Sequence, residues 1–285
     1  MATSPQALQA QRTYDARAPT YDASPHPALA AWAVAAALRP APGERILDLA
    51  CGTGLASVAA AAAVGPAGAV TAVDVSAGML GVARARAAAE GVANVRFLAH
   101  DVAALEGCVE LRGAEGTFDA VLCLSALFLL GEPCALLRAW RRFLKPGGRM
   151  VVDVWHERFF LGGLCLEKVH RDLGLMAPYN RLWVKNEDSL KLVLGQAGFL
   201  VEESVLKPLG FGDSVKKTGD AEQVWESEIS LETCRGLRKD EQTLETAKRM
   251  FIEEWKGYMD ENDEFQEKDG TYIVRARSGD ESTGT

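Results

Sequence analysis

Three aspartates stand at the ends of three successive apolar runs. Asp48 lies inside Ile46-Leu47-Asp48-Leu49, Asp74 closes Ala69–Asp74, and Asp101 follows Asn94–Ala99. An ionised carboxylate only accepts hydrogen bonds, so this trio suits a ligand rich in donors. Asp74 can take both hydroxyls of a ribose, and Asp101 the exocyclic amine of an adenine, with Val102 as an apolar wall. Between the first two runs lies Ala50-Cys51-Gly52-Thr53-Gly54, whose small residues let the backbone turn sharply and approach a ligand closely. Such loops also cradle phosphates, but Asp48 just before this one would repel a pyrophosphate and suits an ammonium group. The chemistry expected is recognition of an adenosine that carries an ammonium and no phosphate.

Those residues need a frame. Short, nearly continuous apolar runs recur at Arg45–Leu49, Ala69–Asp74, Asn94–Ala99, Phe118–Leu124, Arg149–Trp155 and Phe199–Leu206. Strands covered on both faces read this way. Helices with recognisable ends separate them: Pro133 suits a first helical position, Lys145-Pro146-Gly147-Gly148 stops the same element, and Gly198 fits just beyond a helix that opens at Glu187 and Asp188. The alternation predicts an α/β fold, a doubly wound, mostly parallel sheet of seven strands, with Thr271–Ala276 as the seventh. The expected division is an N-terminal helical cover over 1–42, a Rossmann-like core over 43–206, a helical insertion and substrate lid over 207–269, the last core strand over 270–277, and a disordered tail over 278–285. In the insertion, Leu244, Ala247, Phe251, Trp255 and Tyr258 follow helical spacing, and Met259–Asp269 reads as an acidic turn.

The 285 residues carry 31 basic and 39 acidic side chains, net −8, with no lysine before Lys145. That balance argues against nucleic-acid or anionic-membrane partners, which need a basic face. No apolar stretch is long enough for a membrane span. The six cysteines show no metal-ligand or C-x-x-C spacing, so no metal is expected, and a reducing, cytoplasmic setting is.

Taken with Val73-Asp74-Val75-Ser76, Met79-Leu80, His100-Asp101-Val102, Phe118-Asp119-Ala120-Val121 and Leu144-Lys145-Pro146-Gly147-Gly148-Arg149, the glycine loop resembles that of class I S-adenosylmethionine-dependent methyltransferases. The opening Tyr14-Asp15-Ala16-Arg17-Ala18-Pro19-Thr20-Tyr21-Asp22 looks like the small-molecule branch similar to ubiquinone/menaquinone C-methyltransferases. The resemblance implies S-adenosylmethionine as cofactor and S-adenosylhomocysteine as product. It implies Gly52 and Gly54 facing the cofactor, Ala50 standing where many members carry glycine, and Asp48 near the amino group. It also places Asp74 on the ribose, Val75 and Met79 by the adenine, Asp101 with Val102 on the adenine edge, and Leu124-Ser125 by the methionine moiety. Either Tyr14 or Tyr21 would fold over the carboxylate end, with Arg17 as a possible partner there.

Methyl transfer from a sulfonium needs alignment more than proton chemistry. If a base is required, His156, one residue past the fifth strand, is the candidate, since imidazole titrates near neutrality. Aromatic residues after strands four and five and in the insertion, namely Phe128, Trp155, Phe159, Trp183, Phe251 and Trp255, suggest a pocket for a small apolar or aromatic substrate, though core packing explains such rings equally well. Two other readings stay open: a nicotinamide-dependent oxidoreductase, and a methyltransferase-fold protein that binds the cofactor without transferring methyl, in a regulatory or cyclisation role.

Overall fold

The computed structural model describes residues 4–23 and 26–279. Helix α1 (Pro5–Arg17) is capped by Ser4, whose Oγ accepts from the Ala7 N–H, and begins with a proline where no donor is needed. After a 3-10 turn, Ala18–Ala23, helix α2 (His26–Trp32) runs on into a π-helical stretch, Ala33–Leu38, closed by Arg39 in the left-handed region. Strand β1 (Arg45–Leu49), α3 (Leu55–Val64), β2 (Ala69–Asp74), α4 (Ala77–Ala89), β3 (Val95–Ala99), β4 (Phe118–Cys123), α5 (Pro133–Arg141) and β5 (Leu144–Trp155) then alternate. The chain continues through α6 (Leu161–Asp172), α7 (Asp188–Gln196), β6 (Phe199–Lys207), β7 (Ser214–Lys217), α8 (Ala221–Ile229), α9 (Glu241–Gly257), β8 (Glu264–Glu267) and β9 (Thr271–Ser278).

The main sheet has the order β3-β2-β1-β4-β5-β9-β6, parallel except for β9, which is antiparallel to both neighbours. This is the seven-stranded, mostly parallel α/β fold expected. The strand order reverses between β1 and β4, which leaves a crevice at their carboxyl ends. Alternation along each strand feeds two cores. Leu47, Val73, Val121 and Val152 face α5 and α7, packing with Trp140 and Leu190; Ile46, Val70, Leu122 and Val151 face α2 and α3. Asp48 shares the Ile46 face, one step from the crevice.

Four sequence expectations change. Strand β5 starts at Leu144 rather than Arg149: Leu144 pairs with Phe118, and the Lys145–Gly148 turn is a bulge before the register resumes at Ala120↔Arg149. The acidic stretch before β9 contains β8, which pairs antiparallel with β7 in a separate two-stranded sheet. The 207–269 insertion is more than a helical cover, because α8 and α9 build a third core with α6. The disordered tail expected over 278–285 starts later, because Ser278 is buried and pairs with Phe199 as the last residue of β9; residues 280–285 of that tail, and 1–3 and 24–25 of the N-terminal cover, lie outside the described residues. Among the described residues, no helix is long and apolar enough to cross a membrane.

Candidate functional site

The loop after β1 is the base of the site. Ala50, Gly52 and Gly54 all have positive φ (56°, 55° and 78°), and for Ala50 that conformation costs about 1–2 kcal/mol. The turn is secured by two bonds: the Gly52 N–H donates to Asp74 Oδ2 at 2.8 Å, and the Gly54 N–H to the Cys51 carbonyl at 3.0 Å. A Cβ on Gly52 would meet nothing within 4 Å, because this glycine opens onto empty space. Gly54 does not. A Cβ there would lie 2.8 Å from that of Ala83, so its missing side chain lets α3 pack against α4. The expectation that Gly54 faces the ligand is corrected: it is a packing glycine.

A cleft of about 770 Å³ lies above this loop and joins a second of about 480 Å³ through Tyr21, Ala50, Gly52, Leu124 and Ser125. Tyr14, Asp74, Val75, Met79, Asp101 and Val102 line the larger part, and Asp48 the smaller. With Gly54 and Arg17 apart, the structure therefore gathers every residue expected around the cofactor. Asp74 is nearly buried and holds the Gly52 N–H on one oxygen and the Ser76 N–H on the other, each at 2.8 Å. Each oxygen keeps a lone pair free, which matches a vicinal diol. Burial raises its pKa, against the pull of those backbone donors. Asp48, 2% exposed, accepts from Ser57 Oγ. Burial pushes its carboxyl up to about 7, the Ser57 bond opposes this, and the nearby Asp74 adds to it. A buried carboxyl with one neutral donor is a ready partner for a cation. Asp101 accepts from the Ala103 N–H at 2.9 Å and from Ser4 Oγ at 3.0 Å.

The N-terminal segment roofs the cleft. Tyr14 and Tyr21 meet edge to face at 6.2 Å, with the Arg17 guanidinium over both rings at 5.4 and 5.3 Å. Burial raises the pKa of both hydroxyls and keeps them protonated. Two acids that sequence reasoning passed over hold this roof. Asp15 accepts from Ser76 Oγ (2.6 Å) and the Gly78 N–H (2.8 Å), while Asp22 accepts from Thr53 Oγ1 (2.6 Å) and pairs with Arg86. The signal was present as Tyr14-Asp15 and Tyr21-Asp22, the same dipeptide seven residues apart. A third missed acid is Asp153 of β5. It is fully buried and accepts from the Ser125 N–H at 2.5 Å and from Thr271 Oγ1 at 2.8 Å. Ser125 has φ +54°, so Asp153 holds a strained turn that lines both clefts. Burial raises the Asp153 carboxyl to about 6.

The catalytic and substrate expectations are corrected. The His156 ring stacks on Tyr272 at 5.3 Å, and its Nδ1 accepts the Arg158 N–H at 3.0 Å. It is absent from the clefts, because β5 ends by turning its next residue toward β9. Burial lowers its pKa. Phe128 is fully buried against Trp155 at 4.0 Å, Phe159 packs on Trp155 and Phe211, and Trp183 donates to the Asn180 carbonyl beside the main core. Phe251 and Trp255 are fully buried in the insertion's core, where Trp255 Nε1 donates to the Lys217 carbonyl. None of these six rings lines the clefts; they are the packing behind them.

Residues 46–148 match the family model of the methyltransferase domain. No curated protein is a significant match to the chain. Among solved structures, a protein of Bacillus halodurans assigned as a methyltransferase superposes with a TM-score of 0.56 at 17% identity, covering 88% of this chain and 99% of its own. A chain of the complex between the Haloferax volcanii Trm112 methyltransferase activator and its assigned methyltransferase gives 0.55 at 18%, covering 94% and 98%. The 4+2 cyclase SpnF gives 0.53 at 20%, covering 89% and 80%. These structures share the fold. The domain match makes S-adenosylmethionine the cofactor of this site, and the open Gly52, the two-armed Asp74 and the buried Asp48 fit its backbone contact, ribose and ammonium.

Proposed function

We propose that this chain transfers the methyl group of S-adenosylmethionine to a small, apolar or aromatic molecule, leaving S-adenosylhomocysteine. The observation that carries the reading is the joined cleft itself, in which a carboxylate for a diol and a buried carboxylate for a cation lie on either side of an open glycine. When bound, the cofactor supplies a methyl group activated by its sulfonium. The chain's part is to hold and to dry the site. Asp74 accepts the ribose hydroxyls, Asp101 and Val102 flank the adenine, and Asp48 receives the ammonium, while Arg17 sits over the two tyrosine rings that roof the cleft. Helix α1, with Tyr14 and Tyr21, excludes water, which strengthens every charge interaction beneath it.

No histidine lines the clefts among the described residues, and in this reading Asp48, Asp74 and Asp101 are given to the cofactor. The reading therefore rests on alignment, with an acceptor whose proton leaves readily. The segment from Tyr14 to Asp22 supports the quinone-methylating branch as the finer assignment, and residues 1–42 and 207–269 serve as covers of the core. SpnF, a cyclase on the same fold, marks the alternative of cofactor binding without methyl transfer.

One experiment separates these readings. The protein is incubated with methyl-labelled S-adenosylmethionine and a panel of phenols, thiols, amines and quinols, while calorimetry measures S-adenosylhomocysteine binding. Labelled product is expected. Asp74→Ala removes two charge-assisted hydrogen bonds of about 1.5–3 kcal/mol each, so affinity falls at least about tenfold with the fold intact by circular dichroism. Binding without any labelled product favours the alternative; unchanged affinity in the variant sinks the cleft assignment.

A further inference from the structure

A third cavity of about 470 Å³ lies beneath α1 and shares Gln6, Tyr14 and Leu129 with the cofactor cleft. Its far side is closed by Tyr179 and by Thr233 of the insertion. We propose that this is the chamber of the methyl acceptor, and that it selects an uncharged ring compound bearing a polar group, an arylamine, over an anion. The amine lone pair takes the methyl as the carbon–sulfur bond breaks, S-adenosylhomocysteine leaves, and the N-methylanilinium gives its proton to water. The inference rests on the methyltransferase reading above and names the substrate class of that site.

Position comes first. The chamber adjoins the cleft, and the two share Gln6, Ala10, Tyr14 and Leu129 in their linings, so an acceptor seated there lies next to a bound cofactor. Charge comes second. Among the described residues, no side chain lining the chamber carries a formal charge, and an anion moved there would lose its hydration with no cation to replace it. Burial keeps the Tyr179 hydroxyl protonated, so this wall residue is neutral too.

Hydrogen bonding gives the polar requirement. Thr13 Oγ1, in the chamber wall, is buried and unpaired. A buried polar atom left so costs about 1–3 kcal/mol, which a ligand would recover. Gln6 Nε2 donates to the Leu129 carbonyl (2.5 Å) and Gln9 Nε2 to the Thr233 carbonyl (3.1 Å). Each amide keeps its second N–H and its Oε1, so with the Thr13 hydroxyl the wall can both donate to and accept from a neutral polar group. The ring requirement comes from Tyr179, held flat by Phe160 and Trp155 with centroids at 5.7 and 6.1 Å, with Tyr14 on the α1 side.

The test uses the full chain saturated with S-adenosylhomocysteine, and calorimetry with three probes: 4-ethylphenol, 4-ethylaniline and 3-(4-hydroxyphenyl)propanoate. The two neutral probes are expected to bind, and the carboxylate at least about tenfold more weakly. Thr13→Val should weaken 4-ethylaniline about fivefold or more and Thr13→Ser should restore it, with S-adenosylhomocysteine affinity unchanged. Tyr179→Phe gives a second, independent loss. The proposal is overturned if no probe binds, if the carboxylate binds as tightly as the arylamine, or if neither variant matters. Neutral probes that bind as expected while no acceptor is ever labelled would leave the chamber standing and remove the methyltransferase reading instead.

Discussion

Asp48 carries the most telling residue-level consequence. Its folded pKa, about 7, lies above the unfolded carboxyl's ordinary value. The native state thus binds a proton that the unfolded chain has released, so stability falls as pH rises from about 4 toward 7 and levels beyond. An ammonium placed against Asp48 reverses the shift and expels that proton. Affinity for S-adenosylhomocysteine should therefore rise with pH up to about 7, by at most about tenfold per unit, and flatten above it. Calorimetry at pH 6 in buffers of different ionisation enthalpy should count close to one proton released. In Asp48→Asn the release disappears, affinity drops, and the ligand-free protein melts higher at pH 7.5 than wild type. Proton release that survives in the variant would show that another group meets the ammonium.

At the scale of elements, the cover over the cleft is tied down by a few bonds. Helix α1 is joined to the start of α4 through Asp15, which accepts from Ser76 Oγ and the Gly78 N–H. Gly78 eases this approach, since a Cβ there would lie a tight 3.1 Å from the Asp15 backbone. Asp15→Ala should loosen α1, speed hydrogen exchange across residues 5–17, and weaken S-adenosylhomocysteine about tenfold; exchange confined to its wild-type rate would mean that other contacts hold the helix. The insertion behaves differently, because its large rings face one another. Phe251 lies 5.4 Å from Trp225 and 5.9 Å from Trp255, all three buried. Phe251→Ala should cost about 3–5 kcal/mol of stability, seen in urea unfolding, while S-adenosylhomocysteine affinity stays within about twofold. A large loss of affinity with normal stability would return Phe251 to the ligand's surroundings.

Across the whole molecule, the last strand joins what the chain order separates. β9 pairs with β5 on one side and β6 on the other, its Val274 and Ala276 are fully buried, and its Thr271 donates to Asp153 beneath the Ser125 turn. The far end of the chain therefore supports a turn in the cofactor cleft. Ending the chain at Asp269 should abolish cooperative unfolding and S-adenosylhomocysteine binding together. A truncated chain that still melts cooperatively and binds would show that the fold and the cleft do not need β9.

The strand–helix alternation, the glycine turn and the acids Asp48, Asp74 and Asp101 were legible in the sequence because each is local. A buried parallel strand must be apolar throughout, and a crevice residue must sit at a strand's carboxyl end, so neighbours along the chain already define both. Aromatic residues carried no such mark. Phe251 and Trp255 have the same composition and spacing whether they face a ligand or one another, and only the packing of α9 on α6 and α8 decided for the latter. His156 was misplaced by one residue of strand geometry: successive side chains point to opposite faces, and the turn after Trp155 carried it toward Tyr272. Gly54 was read as an open glycine when its neighbour was Ala83, 29 positions away in sequence. Asp15, Asp22 and Asp153 act across long stretches of chain, on Ser76, Thr53 and Ser125. Elements and chemical types follow from short-range sterics and burial, whereas partners are chosen by chain folding over long separations, and that choice exists only in three dimensions.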